Sequence, residues 1–332
     1  MESNFLVTTT YRGLNHSVIW EVSVEGGKLT LNEAAVMHLE DNPLLPNKYD
    51  CSAYGLAKHE QGYIVSESNG VKIVNHDFKV IRKIQEVDRL RAVHDVKFKD
   101  GKIYLTNTCA DRVEIYDDQL NHLESIFIPD LPGLNHLKLI SKKNPTTISD
   151  SIHINFIHFH EDEIYISLSF INKKYGRLKL FKRYPFLRIL PFQSPGGIYN
   201  LTKKEFFKRD LWGLHDGIWR DDQVWVHQTH RMSLDVYNLE GELVQQKKYK
   251  DGGIYRGLDL SGNYALAGMT KVDFSRNMAT NVYGKLMDER EGQILENSQL
   301  LLLDTESLDI LDSVVLPDFQ GISPEVSQIL AI

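Results

Sequence analysis

Little in this chain supports a disulfide-stapled fold, a membrane span or a polyanion-binding surface. Its 332 residues include two cysteines, Cys51 and Cys109, too few for a disulfide framework and suggestive of a reducing compartment. No stretch approaches the roughly 18 apolar residues of a spanning helix. The first residues, MESNFLVTTTYRG, lack a basic segment followed by an apolar run, so no signal peptide is expected and the location is read as cytoplasmic. Charge of neither sign dominates: 38 Lys and Arg stand against 45 Asp and Glu. The resulting net charge of −7 argues against a nucleic-acid binder that works through overall charge. Also missing are a GxSxG elbow, a Walker loop and a dinucleotide fingerprint.

What the chain does have is a repeated phrase. It reads HDVKFKDGKIYLTN from His94, HINFIHFHEDEIYIS from His153, HDGIWRDDQVWVHQ from His215 and YRGLDLSGNYALAG from Tyr255, with a further copy, YGLAKHEQGYIVSE, from Tyr54. Each copy is a β-branched or aromatic strand, a tight polar turn such as Lys99-Asp100-Gly101, and a second strand. A third strand and another turn follow, as in LDVYNLEGELVQQKKY, giving the four strands of a propeller blade.

Five inner strands are visible, near Tyr54, His94, His153, His215 and Arg256. Upstream, FLVTTT, SVIWEVSV and LTLNEAAVMHL supply three strands without an inner partner, and VSQILAI at the other end is a strand without a blade. Pairing the two ends completes a sixth blade and removes the exposed edges. The expectation is therefore an all-β chain: a six-bladed β-propeller over residues 1–332, a single domain closed by N-terminal strands plus a C-terminal strand, with insertions near 130–150 and 273–298.

Register picks out the candidate site. Tyr54, His94, His215 and Arg256 each precede an equivalent position of the next strand by ten residues, and Asn155 fills the same place in the fourth copy. His153 lies two residues before Asn155, on the same face of an alternating strand. Inner strands line the axis of a propeller, so this set is expected at one axial mouth. Imidazoles suit Zn, Fe or Mn, and three protein ligands leave a position open for water or substrate. His94, His153 and His215 are thus the candidate ligands of a divalent metal, or else line a polar pocket without one. Arg256, Tyr54 and Tyr255 are candidate catalytic groups, the arginine for an anion and the phenols for proton transfer. Asn155, Asn107 and Lys271 are candidate substrate contacts. Asp95 and Asp216 follow two of the histidines and should face the other way. The segment 173–209 is basic and aromatic, and is the candidate surface for a protein partner.

The series HDVKF…LTNT, HIN, HDGIW…VWV and RGLDLSGNYALAGMTKV, with a long insertion and LLLLDTESLDIL, resembles an uncharacterised bacterial propeller family over roughly residues 90–317. That family's blades read HDL…N, HLN, HSPRW…LWV and RGL…G-SKVR. The chain departs from it at Leu214, Asp216, Gly217 and Asp273. More distantly it is similar to six-bladed NHL-like enzymes such as peptidyl-hydroxyglycine lyases, which hold one metal on three propeller histidines with Arg and Tyr nearby. That resemblance implies lyase or hydrolase chemistry on a small anionic or peptide-derived substrate. The alternative is a non-catalytic propeller that binds a ligand or protein.

Overall fold

The computed structural model describes residues 3–11, 14, 16–38, 53–86, 88–139, 152–169, 171, 195–271 and 293–332. Six four-stranded sheets make up nearly all of it, and the chain is a six-bladed β-propeller. In the first blade Glu325–Ala331 pairs with Ser3–Tyr11, which continues to His16–Glu25 and Lys28–His38. The pairing Phe5↔Ala331, Val7↔Ile329 and Thr10↔Glu325 is the expected closure by the C-terminal strand. The second and third blades are Ala53–His59 to Val80–Gln85 and Val93–Lys99 to His122–Phe127. The fourth, fifth and sixth start at Ile157–His160, Leu214–Arg220 and Ile254–Ser261. Among the described residues the only helical elements are short 3-10 turns, and no helix is long and apolar enough to cross a membrane.

The chain packs as two compact units, one of Met1–Asp41, Asn47–Ala53 and Arg220–Ile332, the other of Asn42–Pro46 and Tyr54–Trp219. In the first, Phe5, Trp20, Leu266, Leu300 and Ile329 share one buried cluster. In the second, Ile64, Ile103, Leu105 and Tyr116 form one cluster, and Val113, Ile128, Ile166 and Tyr199 form another. Each such side chain contributes about 1.5–3 kcal/mol on leaving water. Alternation delivers these residues to the blade interiors, and the hairpin turns hold the register. At Asp100 and Gly101, φ is 52° and 69°, the left-handed pair that matches strand twist in a two-residue hairpin.

Insertions were expected near 130–150 and 273–298, the first as a long connection between blades. The first opens as packed structure instead. Short 3-10 turns at Ile128–Asp130 and Asn135–Leu139 bring Ile128, Leu134 and Leu137 into the core. Apolar residues at that spacing bury better as turns than as a solvated loop. Residues 140–151 and 272–292 lie outside the described residues. Within the second insertion, Gln293–Ile294 pairs in parallel with Asp251–Gly252.

A device invisible in the repeat ties four of the blades to the next. In the second unit, Thr108 Oγ1 donates to the Ile154 carbonyl at 2.5 Å, and Ser169 Oγ to the Leu214 carbonyl at 3.0 Å. In the first unit, Thr229 Oγ1 donates to the Tyr255 carbonyl at 3.3 Å, while Thr270 Oγ1 accepts from the Val326 N–H at 3.0 Å. All four hydroxyls stand at the end of a blade's second strand and meet the opening of the next inner strand. Thr108→Val keeps the shape but leaves the buried Ile154 carbonyl without this donor, at an expected cost of about 1–2 kcal/mol. Urea unfolding checks it: an unchanged midpoint would remove Thr108 from the account of blade docking.

Candidate functional site

Two of the candidate residues, His94 and Arg256, are each presented by a bulge. In the third blade Val93 pairs with Asn107 and Val96 with Leu105, so His94 and Asp95 together oppose Thr106. In the sixth blade Tyr255 pairs with Met269 and Leu258 with Ala267, so Arg256 and Gly257 oppose Gly268. The register equivalence of His94 and Arg256 is therefore built into the backbone. Bulging turns two consecutive side chains to different tasks. Asp95 is 1% exposed and faces the next blade. There its Oδ2 accepts from the Ile157 N–H at 2.9 Å, while Oδ1 accepts from the Val96 N–H and from Lys97 Nζ. Burial pushes its pKa up, against the pull of Lys97 and the two backbone N–H groups. Asp95 is a structural tie, as its register implied, and His94 beside it is partly exposed.

His153 reaches the others despite its offset. Its ring centroid lies 5.2 Å from that of His94 and 6.4 Å from that of His215, at interplanar angles of 79° and 84°. The backbone explains why. Ala92, His153 and Gly213 have φ of 51°, 55° and 63°, so each of these three inner strands is entered through a left-handed residue. Ala92 precedes His94 by two residues, Gly213 precedes His215 by two, and His153 precedes Asn155 by two. In the fourth blade the imidazole stands on the left-handed residue itself, and Asn155 occupies the histidine place. The regular pairing begins only at Ile157, later than the repeat suggested, and Ser167 Oγ accepts the Asn155 and Phe156 N–H groups in its stead. All three imidazoles are partly exposed.

Three imidazoles are suitable donors for Zn, Fe or Mn, but the placed rings pack edge to face. Among the described residues no group of three or more His, Cys, Asp or Glu side chains is arranged to hold a metal ion. What the geometry shows is three neighbouring imidazoles from three blades, with Asn155 two residues from His153 in the chain.

The other candidates have different surroundings. Arg256 lies within 3.5 Å of Glu325, where that carboxylate already engages its guanidinium. Tyr255 is fully buried, its ring stacked on Tyr249 at 4.3 Å. It occupies the place of Val93, inside the blade packing. Asn107 is also fully buried: it accepts from the Arg91 N–H and donates to the Arg89 carbonyl and Glu114 Oε1, which shapes the loop before His94. Lys271 is exposed, and its N–H is held by Ser298 Oγ at 2.9 Å. Tyr54 lies on the strand Ala53–His59, but its side chain is outside the description. Of the basic segment, residues 172–194 are likewise outside. In the remainder Lys203 pairs with Glu163 at 2.5 Å and Arg209 lies over the Phe206 ring, so part of its charge is internally matched.

Sequence reading missed a second polar cluster. Glu114 is fully buried and meets both Ser125 and His122. A serine, a histidine and an acid suggest a nucleophilic triad, yet His122 uses one nitrogen, Nε2, toward both Ser125 Oγ at 3.1 Å and Glu114 Oε2 at 3.0 Å. A triad needs the acid on one ring nitrogen and the nucleophile on the other. The cluster is a structural network.

Neither a protein-family model nor a curated protein matches the chain. Solved structures do. One is a protein of unknown function from Bacteroides caccae, with a TM-score of 0.59 and 12% identity over 100% of this chain and 99% of that one. A structure of a nidogen–laminin complex gives 0.59 at 10% identity, covering 100% and 98%. A candidate 6-phosphogluconolactonase from Bacteroides fragilis gives 0.53 at 10%, covering 96% and 83%. At such identities the likeness is one of fold.

Proposed function

We propose that His94, His153 and His215, with Asn155, form a small-molecule site at the openings of three inner strands, and that its chemistry is of the lyase or hydrolase type. The observation that carries this reading is the convergence of three partly exposed imidazoles, each from a separate blade. Structural histidines are usually spent on buried partners, as His158 is on the Trp219 N–H at 3.1 Å. Here the His153 ring lies against both His94 and His215. Imidazole is the side chain whose ordinary pKa lies nearest neutrality, so adjacent rings can hold a proton on one and an acceptor nitrogen on another. A substrate carbonyl or leaving group would take the proton, and a water or carbon acid would give one up. Neither step requires a metal. When bound, a divalent ion would polarise a carbonyl or activate water.

The test is a screen of aryl esters and small elimination substrates against wild type and His153→Ala, with and without added Zn, Fe or Mn. Removing the central ring is expected to lower kcat/KM by about 10- to 100-fold without a metal requirement. Undiminished turnover in His153→Ala would move the chemistry elsewhere. Activity that appears only with metal would replace proton transfer by metal chemistry.

A further inference from the structure

The Asn155 amide is fixed in direction by its neighbours. Its Nδ2 donates to the Leu214 carbonyl at 2.5 Å and to Ser169 Oγ at 2.9 Å. Ser169 Oγ donates its own hydrogen to the same carbonyl at 3.0 Å, which leaves its lone pairs for the amide. A carbonyl only accepts, so the nitrogen must face Leu214 and the flipped rotamer is excluded. Oδ1 is then turned away from this latch. Asn155 is 4% exposed, and among the described residues its Oδ1 has no hydrogen-bond partner. A buried acceptor without a donor is unfavourable. Asn155 holds it at the inner-strand place occupied by His94 and His215 in their blades, two residues from His153.

Resting on the site proposed above, we infer that Asn155 Oδ1 is a recognition atom for a ligand hydroxyl, which makes Asn155 the residue that selects hydroxylated over deoxygenated small molecules. The chemistry is complementary. An amide oxygen can only accept a hydrogen bond, and a ligand hydroxyl can donate one. A site that hydrogen-bonds a hydroxyl rejects the analogue lacking it, because the buried acceptor then stays unpaired.

Erythritol and 1,4-butanediol share a four-carbon chain with terminal hydroxyls and differ in the two inner ones, so they serve as probes. Imidazole C–H resonances are followed by NMR while each is titrated into the full chain. The expected result is a response of the His153 and His215 rings to erythritol at a concentration at least tenfold below that needed for 1,4-butanediol. Asn155→Leu should abolish that preference. Ser169→Ala, which weakens the latch but keeps Oδ1, should retain it, and a thermal melt of each variant reports folding. Equal response to the two probes in wild type, or a preference surviving in folded Asn155→Leu, would overturn the inference while leaving the site. Silence of all three rings toward both probes would overturn the inference and the site reading together.

Discussion

Acidification from pH 7.5 to 5 is expected to remove on the order of 4 kcal/mol of folding stability, before most carboxylates titrate. Two histidines are responsible. His227 is fully buried, with the Tyr249 hydroxyl 3.3 Å from its Nε2. Burial pushes its pKa from the ordinary 6.5 down to about 3. His158 stacks on Trp219 and accepts that residue's backbone N–H on Nε2, so protonation there must break the bond. Desolvation, with repulsion from Lys97 and His160, lowers it to about 3 as well. The folded values lie below the unfolded ones, so between about pH 6.5 and 3 the unfolded chain binds more protons. The stability these groups confer is complete above 6.5 and is lost progressively as pH falls toward 3. Urea midpoints measured from pH 7.5 to 5 should fall in wild type. In His158→Gln/His227→Phe they should start lower and change little. A flat wild-type profile, or a slope that survives in the double variant, would show that neither imidazole is held neutral by the fold.

Gly268→Ala is the single-methyl change expected to do most harm to the sixth blade. Its Cβ would sit 2.1 Å from the Arg256 carbonyl oxygen and 2.4 Å from Val326 Cγ1. Backbone on one side and a fully buried valine on the other leave no flexible side chain to yield. Relief would require opening the bulge between Tyr255 and Leu258, the feature that presents Arg256. The expected loss is about 3 kcal/mol, a fall of several degrees in Tm. Gly101→Ala provides the contrast, since nothing lies within 4 Å of its Cβ and only its φ of +69° resists. That change should cost about 1 kcal/mol. Were the Gly268 variant to melt with wild type, the bulge would be soft and no basis for positioning Arg256.

The blade count, the closure by VSQILAI and the shared register of His94 and Arg256 were legible because strand alternation and turn residues are local signals. The ten-residue offset from His94 to Tyr104 survives in the structure as the spacing that holds the bulge, and it repeats from Arg256 to Leu266. Less legible was anything set by backbone handedness. His153 looked displaced by one pleat, and nothing in its letters says that it adopts φ of 55°. Nor could the repeat reveal Thr108, Ser169, Thr229 and Thr270 as latches, because Ser and Thr are common at strand ends and their partners lie 26 to 56 residues away. Tyr255 was drawn into the site by adjacency to Arg256, whereas alternation at the bulge sends it into the blade beside Tyr249.

The left-handed entry at Ala92, His153 and Gly213 also has a bearing on descent. Such a step separates the letter that faces the ligand from the letters that hold the blade. Along each entry two positions are offered, the step and the residue two places on, and a chain can move an imidazole between them without disturbing the β-ladder. In the fourth blade the imidazole stands at the step, and in the third and fifth it stands two residues on. Sites of this construction can be re-lettered one blade at a time, so relatives with the same architecture need not share a ligand, or even a visible motif.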